Sequence, residues 1–461
     1  MAQVSWQQQR APVIRAALLA IACTLSLQPI FAGALVFLRE HTDLPAVMRH
    51  VAQAYDDGVL AQDEKPRQFL HRFGQQFIEC TALQITIDDQ PDPVRAALMP
   101  QLHSLYVDPC RELLGNARGI ATDERTDYSR YWQGYRAYLW PALEHLSLAG
   151  VRALNAVLLL LAVVYFHRCL RLSLGATAAG VMLAALLCLT DLWRMWRFTP
   201  QVLPMLLILA GSGAFARLYA ARRAPLLAVA LAAVFGAVFN FVDFLINPPM
   251  MPMLLAFVVL ATDAPGRTYD SRRDVIDALW LPALVAGAWM GAYLLTWAVK
   301  WLIAMQLSAD PGHTAVGILD QIRLRLYGAE AGTKVWIIPM LPTAKMLIQC
   351  CIAVGIIPFA LLAARVVRIA RSTAGAFDRR KFLVLASPLL VSVLWFEALS
   401  NHTQTHSHFT YRSAAAAIGV VLAAALLSLG RTPTLRELLR PGAPAPGAGS
   451  MASGAGAGRP D

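Results

Sequence analysis

The strongest constraint on this 461-residue chain is a series of apolar runs, each near the length that carries a helix across a bilayer. That length is about 20 residues, and in hydrocarbon every backbone N–H and C=O must be paired inside the protein, so such runs can span only as helices. Spans are expected at about 13–38, 143–167, 173–190, 201–218, 224–246, 249–263, 278–302, 344–366, 382–399 and 413–430. The weakest is 249–263, because roughly fifteen residues at about 1.5 Å each fall short of a ~30 Å hydrocarbon core. The expected fold is an all-α polytopic membrane protein of about ten transmembrane helices, with a large loop on the outer face after the first.

The first run follows Arg10 and Arg15, which is the charge pattern of a signal peptide. It is too long for the apolar region of one and lacks a clear small-residue cleavage site, so 1–38 reads as a retained signal-anchor helix. The outer-face loop at 39–142 carries apolar positions at helical spacing, Phe69, Phe73 and Phe77, then Leu98, Leu102 and Tyr106, which predict helices lying on the membrane surface. A helix bundle at 143–430 and a tail at 431–461 complete the chain, and the Gly, Ala, Pro and Ser from Pro441 onward predict disorder.

The net charge is +11, but the cations are spread over the ends of apolar segments and are not gathered in a basic domain. That distribution points to membrane orientation and away from nucleic acid. With a cytoplasmic N-terminus, Arg168 and Arg171, Arg217 to Arg223, Arg267 to Arg273, Arg365 to Lys381 and Arg431 to Arg440 all fall on one side. The protein is therefore expected to be multi-pass in the cell (inner) membrane with both termini cytoplasmic. Arg194, Arg197, Lys300, Arg323, Arg325 and Arg412 defy the charge bias and lie on the outer face. Orientation does not account for them, so the outer face is where a site is sought.

Four stretches on that face carry chemistry, each with a plainer reading beside it. Tyr128 to Tyr135 sets Arg130 among Tyr131, Trp132 and Tyr135, which suits a phosphate or a sugar ring and equally suits an interfacial aromatic belt. Asn240 and Asp243 close the fifth span, where an ionisable group reads as functional or, just outside the hydrocarbon, as a helix cap. Trp297, Lys300 and Trp301 close the seventh, with Tyr293 one turn behind; Lys300 can bind an anion or simply snorkel. The polar island Asn401 to Arg412 holds His402, His406, His408, Tyr411 and Arg412. It reads as a phosphate-binding turn, a metal site, a glycosylation sequon at Asn401, or a solvated loop. A divalent metal is compatible with the His spacing, but no spacing is specific to one and none is predicted. Cys80 and Cys110 share the long polar segment, and a disulfide between them is expected if that segment faces an oxidising compartment.

On these residues the chain resembles a family of bacterial polytopic membrane proteins. The resemblance rests on Tyr128-x-Arg-Tyr-Trp-x-Gly-Tyr135, Phe241-x-Asp-Phe-Leu-x-x-Pro248, the Trp297 to Trp301 segment and Asn401-His-x-x-x-His-x-x-Phe-x-Tyr-Arg412. The order of signal anchor, large outer loop and many spans is similar to the GT-C superfamily of membrane glycosyltransferases. That resemblance implies transfer of a sugar from a polyprenyl-phosphate donor to a lipid or glycan acceptor on the outer face, among membrane lipids. It also implies an acidic residue of the first outer loop in the cavity, as base or metal ligand. Glu40, Asp43, Asp88 and Asp89 are available for that role, and none stands in a matching motif.

Such a transfer needs a base, cations at the departing phosphate and a surface for the sugar. The expected base is Asp243, Asp88 or Asp89. His402, Arg130, Lys300, Arg194 and Arg412 would face the phosphate. Tyr131, Trp132, Tyr135, Trp297, Tyr411, Asn240, Asn401 and His406 would complete the binding surface. The rival expectations are a transporter or flippase of a lipid-linked saccharide and a non-catalytic binding subunit. Against the transporter, runs such as 153–166 and 414–429 carry almost no polar group at mid-membrane depth.

Overall fold

The computed structural model describes residues 6–62, 76–103, 108–120, 125–243, 246–327, 356–372 and 377–439. Phe69, Phe73, Tyr106, most of the expected span at 344–366 and the tail beyond 439 lie outside the described residues. The architecture is all-α and polytopic, with one small two-stranded sheet. Among the described residues six helices are long and apolar enough to cross a membrane, or seven if one pair bent by 44° is a single span.

The chain opens with α1 (Trp6–His41), held to the bundle through Gln28, whose Nε2 donates to Thr296 Oγ1 at 3.1 Å. The long polar segment that follows is a folded helical domain, a larger structure than surface helices alone. It contains α2 (Leu44–Asp56), α3 (Gln76–Thr86), α4 (Pro93–Leu98), α5 (Pro109–Ala117) and α6 (Arg136–His145). Three of these start on one device. Asp43, Asp92 and Asp108 each accept first-turn backbone N–H groups, and a proline within the next two residues needs no such partner.

Val47, Val51, Leu83, Leu113 and Leu139 form the core of this domain, and Leu148 and Val151 join it to the bundle. The Cys80–Cys110 disulfide ties α3 to α5 through that core. The helical spacing from Leu98 to Leu102 is not carried by one helix, since Leu98 ends α4. Leu102 lies in β1 (Gln101–His103), antiparallel to β2 (Arg125–Asp127) with Leu102 opposite Thr126.

α7 (Leu148–Leu189) covers two expected spans in 42 residues, with non-helical backbone at Gly175. A straight helix of that length would part its ends by ~63 Å. Yet Asn155, near its start, donates to Trp196 O (3.3 Å) and Thr199 Oγ1 (3.1 Å), just past its end. The chain therefore folds back at Gly175, whose φ of 76° and ψ of 167° belong to a region essentially reserved for glycine.

A 3₁₀ turn (Leu192–Arg197) leads to α8 (Thr199–Leu206), a π turn and α9 (Ser212–Arg222). Then come α10 (Pro225–Val242), α11 (Met250–Asp263) and α12 (Arg272–Leu307). α10 and α12 cross closely at Gly236, where an added Cβ would stand 2.2 Å from Trp289 O. Helix α11 is as short as its sequence implies, but every residue from Met250 to Thr262 is buried by neighbouring helices.

α13 (Pro311–Tyr327), α14 (Ile356–Ser372), α15 (Arg379–Ala386) and α16 (Leu389–Ala398) follow. The polar island is helical where a turn was expected. It forms α17 (Ser400–Thr405) and the first turns of α18 (Ser407–Leu427); α19 (Leu435–Leu439) ends the described chain.

Candidate functional site

Buried polar side chains fix the segment between β2 and α6 almost residue by residue. Asp127 accepts from Ser129 N (2.7 Å) and Ser129 Oγ (3.0 Å), which sets the first bend. Lys300, fully buried on α12, donates to Leu98 O (2.7 Å) and to Ser129 O. Trp297 and Trp301 both donate to Arg130 O at 3.2 Å, and Trp132 donates to Thr296 O at 3.0 Å. Gly134 N donates to Phe241 O at 2.7 Å, an approach a side chain at 134 would block because its Cβ would lie 2.5 Å from that oxygen.

This anchoring presents Tyr131 to a cluster of cations and rings. Arg325 of α13 donates through Nη2 to the Tyr131 hydroxyl and through Nη1 to His402 Nδ1 (2.8 Å). A guanidinium has no acceptor, so Nδ1 of His402 accepts and the proton of the neutral ring sits on Nε2. The Arg130 guanidinium lies 4.4 Å from the Tyr128 ring centre and 5.5 Å from that of Tyr131. Burial pushes the Tyr131 phenol up, but Arg325 and Arg130 more than offset this and hold it below the ordinary tyrosine value. Burial pushes the neighbouring Tyr128 phenol up instead.

From Tyr131 the cluster continues through stacked Trp297 (5.9 Å between centroids) to Tyr293, whose hydroxyl donates to Asp243 Oδ2 at 3.3 Å. Asp243 Oδ1 accepts from Ile246 N at 3.0 Å, so the carboxylate also caps the chain leaving α10. No carboxylate lies within 4 Å of the Arg130 or Arg325 guanidinium among the described residues, and the Nε of each is buried without an acceptor. Two partly buried cations with no carboxylate within 4 Å among the described residues favour an anion here.

Beside it, Arg130 lines a cavity of about 360 Å³ between β2 and one face of α13. No group of three or more His, Cys, Asp or Glu side chains arranged for a metal ion is found among the described residues.

The structure therefore unites Arg130, Tyr131, Trp297 and His402, with Asp243 reached through Tyr293. Asn401 and His406 flank the cluster: Asn401 Nδ2 donates to Leu324 O (2.8 Å), and the His406 ring lies 4.7 Å from that of His402. Asn240 is buried one turn before Asp243. Arg325 and Tyr293 are the members that sequence reasoning left out of the site. Arg325 carried a signal, since it defies the charge bias of the chain.

Other expected site residues hold the fold. Lys300 is spent on two loop carbonyls; Trp132 packs on Phe31 and Phe241, and Tyr135 sits in the domain core. Asp88 is buried, accepting from Gln90 Nε2 (2.6 Å) and Gln101 N (2.9 Å); burial pushes its carboxyl up. Asp89 pairs with Arg125 at 2.9 Å. Arg194 lies in the 3₁₀ turn, 5.5 Å from the Trp193 ring centre.

Arg412 lies apart from that cluster, with Nε and Nη2 of its guanidinium bonded to protein partners. It donates to Asp191 Oδ1 (2.6 Å), Asp191 Oδ2 (2.7 Å) and Gln201 Oε1 (2.9 Å), while the Tyr411 hydroxyl donates to Asp191 Oδ1 at 2.6 Å. Burial raises the Asp191 carboxyl, but Arg412 and Tyr411 outweigh it and hold it below the ordinary carboxylate range. Among known proteins, no family model, curated protein or solved structure matches this chain.

Proposed function

We propose that this protein transfers a sugar from a polyprenyl phosphate to an acceptor, with the Arg130–Tyr131–Arg325–His402 cluster receiving the departing phosphate. The observation that carries the reading is the pair of guanidiniums, without carboxylate partners among the described residues, that meet at Tyr131 beside Trp297. In the proposed step the acceptor oxygen bonds to the anomeric carbon as the bond from that carbon to the phosphate oxygen breaks. The electron pair leaves with the phosphate, which Arg325 and Arg130 stabilise as its charge develops. The acceptor's proton passes to a carboxylate, a role for which Asp243, held by Tyr293, is the nearest candidate in the cluster.

The same reading takes the disulfide domain to the oxidising side of a bacterial inner membrane, with ten spans and both termini cytoplasmic. The Cys80–Cys110 bond supports that side, since disulfides persist in oxidising compartments. The fold-back at Gly175 supports counting two crossings within α7.

The test is turnover of radiolabelled polyprenyl-phosphate sugars by the purified protein. Wild type should transfer or hydrolyse at least one donor, and Arg325→Ala and Asp243→Asn should each lose most of that activity. Activity that survived both substitutions would remove the site. Donor binding without turnover in wild type would favour a transporter of the same ligand.

A further inference from the structure

We propose that the cavity between β2 and α13 is the acceptor subsite and that it takes a hydroxyl-rich, saccharide-like group, an assignment resting on the transfer reading above. Its volume of about 360 Å³ is enough for a small ligand, at the lower end of the range of ligand pockets. β2 and the bend after it supply Asp127 and Arg130 to one wall. α13 supplies His313, Gly317, Asp320 and Gln321 to the other, positions about one turn apart on one helix face.

The chemistry of these walls selects the ligand. Both oxygens of Asp127 already accept from Ser129, at 2.7 and 3.0 Å, and Asp320 pairs with Arg323 at 3.7 Å. Each carboxylate keeps further lone pairs and can still accept from a hydroxyl. Gln321 and His313 add a donor and an acceptor each, and the Arg130 guanidinium balances the negative charge. A wall of shared carboxylates, amide and imidazole with nearly balanced charge fits a neutral polyol better than an anion or a polyamine.

Position agrees with chemistry. Arg130 lines this cavity while its guanidinium lies 5.5 Å from the ring centre of Tyr131, whose hydroxyl accepts a hydrogen bond from Arg325. An acceptor hydroxyl held in the cavity would thus meet the donor across Arg130.

Gly317 makes the proposal testable without touching a charge. A Cβ added there meets nothing within 4 Å, so a longer side chain would extend into open space beside the cavity and leave the helix intact. The experiment uses the purified full-length protein and two readouts: saturation-transfer NMR with maltose, lactose and N,N′-diacetylchitobiose, and binding of radiolabelled polyprenyl phosphate. Wild type should give a saturable signal with at least one disaccharide. Gly317→Met should weaken that signal at least tenfold and leave polyprenyl-phosphate binding unchanged.

An undiminished sugar signal in Gly317→Met would overturn the subsite and leave the anion site standing. No signal from any of the three sugars in wild type would overturn the ligand class. Sugar binding in a wild type that does not bind polyprenyl phosphate would instead remove the transfer reading, and the acceptor role with it.

Discussion

Removing Arg412 should unfold the protein before it affects any ligand. Its side chain is 0% exposed and Asp191 is 5% exposed, and the two share a bidentate contact at 2.6 and 2.7 Å. In Arg412→Met the carboxylate stays buried with Tyr411 as its remaining side-chain donor in the contact. Stranding one member of a buried ion pair costs about 3–5 kcal/mol. At ~1.4 kcal/mol per factor of ten, the ratio of folded to unfolded protein falls at least a hundredfold.

The assay is a denaturant titration in mixed micelles followed by tryptophan fluorescence, on Arg412→Met, Asp191→Leu and the double variant. The double variant should recover most of the loss, because replacing both partners by apolar groups of similar volume is close to neutral. A coupling above ~2 kcal/mol in the cycle is expected, within the range seen for contacting residues. An Arg412→Met protein that kept wild-type stability but lost polyprenyl-phosphate binding would refute the reasoning and return Arg412 to the site. The pair also sets an acid limit. Asp191 has a folded pKa below its unfolded value, so its stabilisation is present above the ordinary carboxylate pKa of about 4 and is lost as pH falls through the lower folded value. Asp191→Leu/Arg412→Met should lack that acid transition.

Other substitutions test the site and the frame separately. Arg325→Lys keeps the charge but cannot bridge Tyr131 and His402, and should weaken polyprenyl-phosphate binding about 10- to 100-fold with little change in melting. Reducing Cys80–Cys110, or replacing both cysteines by serine, should destabilise the disulfide-linked domain by ~3–4 kcal/mol, read from protease protection of α2 to α6. Gly175→Ala should cost ~1–3 kcal/mol from backbone conformation alone, since nothing lies within 4 Å of an added Cβ. Gly236→Ala should be worse, because its Cβ would meet the α12 backbone at Trp289, and lower expression is the expected outcome.

The local devices of this fold were legible in the sequence. Apolar length marked α1, α10 and α12, and His406 and Arg412 stood out by polarity alone. Roles that depend on distant partners were not legible. Arg412 and Asp191 are 221 residues apart, and no local rule couples a cation to a carboxylate over that distance. Lys300 looked like a snorkelling or anion-binding residue because its partners are two backbone carbonyls, which have no sequence signature. The island read as a turn because its polarity interrupts an apolar pattern. Asn401, His402, Thr403, Tyr411 and Arg412 instead bond inside the protein, and helix survives where tertiary partners replace water. Arg325 was the converse case. The charge bias singled it out, but only α13 packed against α17 gives it Tyr131 and His402.

Helix α11 has a consequence for how the chain is made. Its 14 residues reach ~21 Å, too short to cross a hydrocarbon core unaided, and lipid has almost no access to them in the finished protein. A segment of this kind is not retained in the bilayer on its own merits as it leaves the ribosome. It must be carried in by partners, first α7 and α9 and then α12, and it becomes fully enclosed only when α18, near the end of the chain, is in place. Assembly of this bundle is therefore a late event, and truncation before α18 should leave α11 exposed to the cell's quality-control proteases while the earlier helices remain inserted.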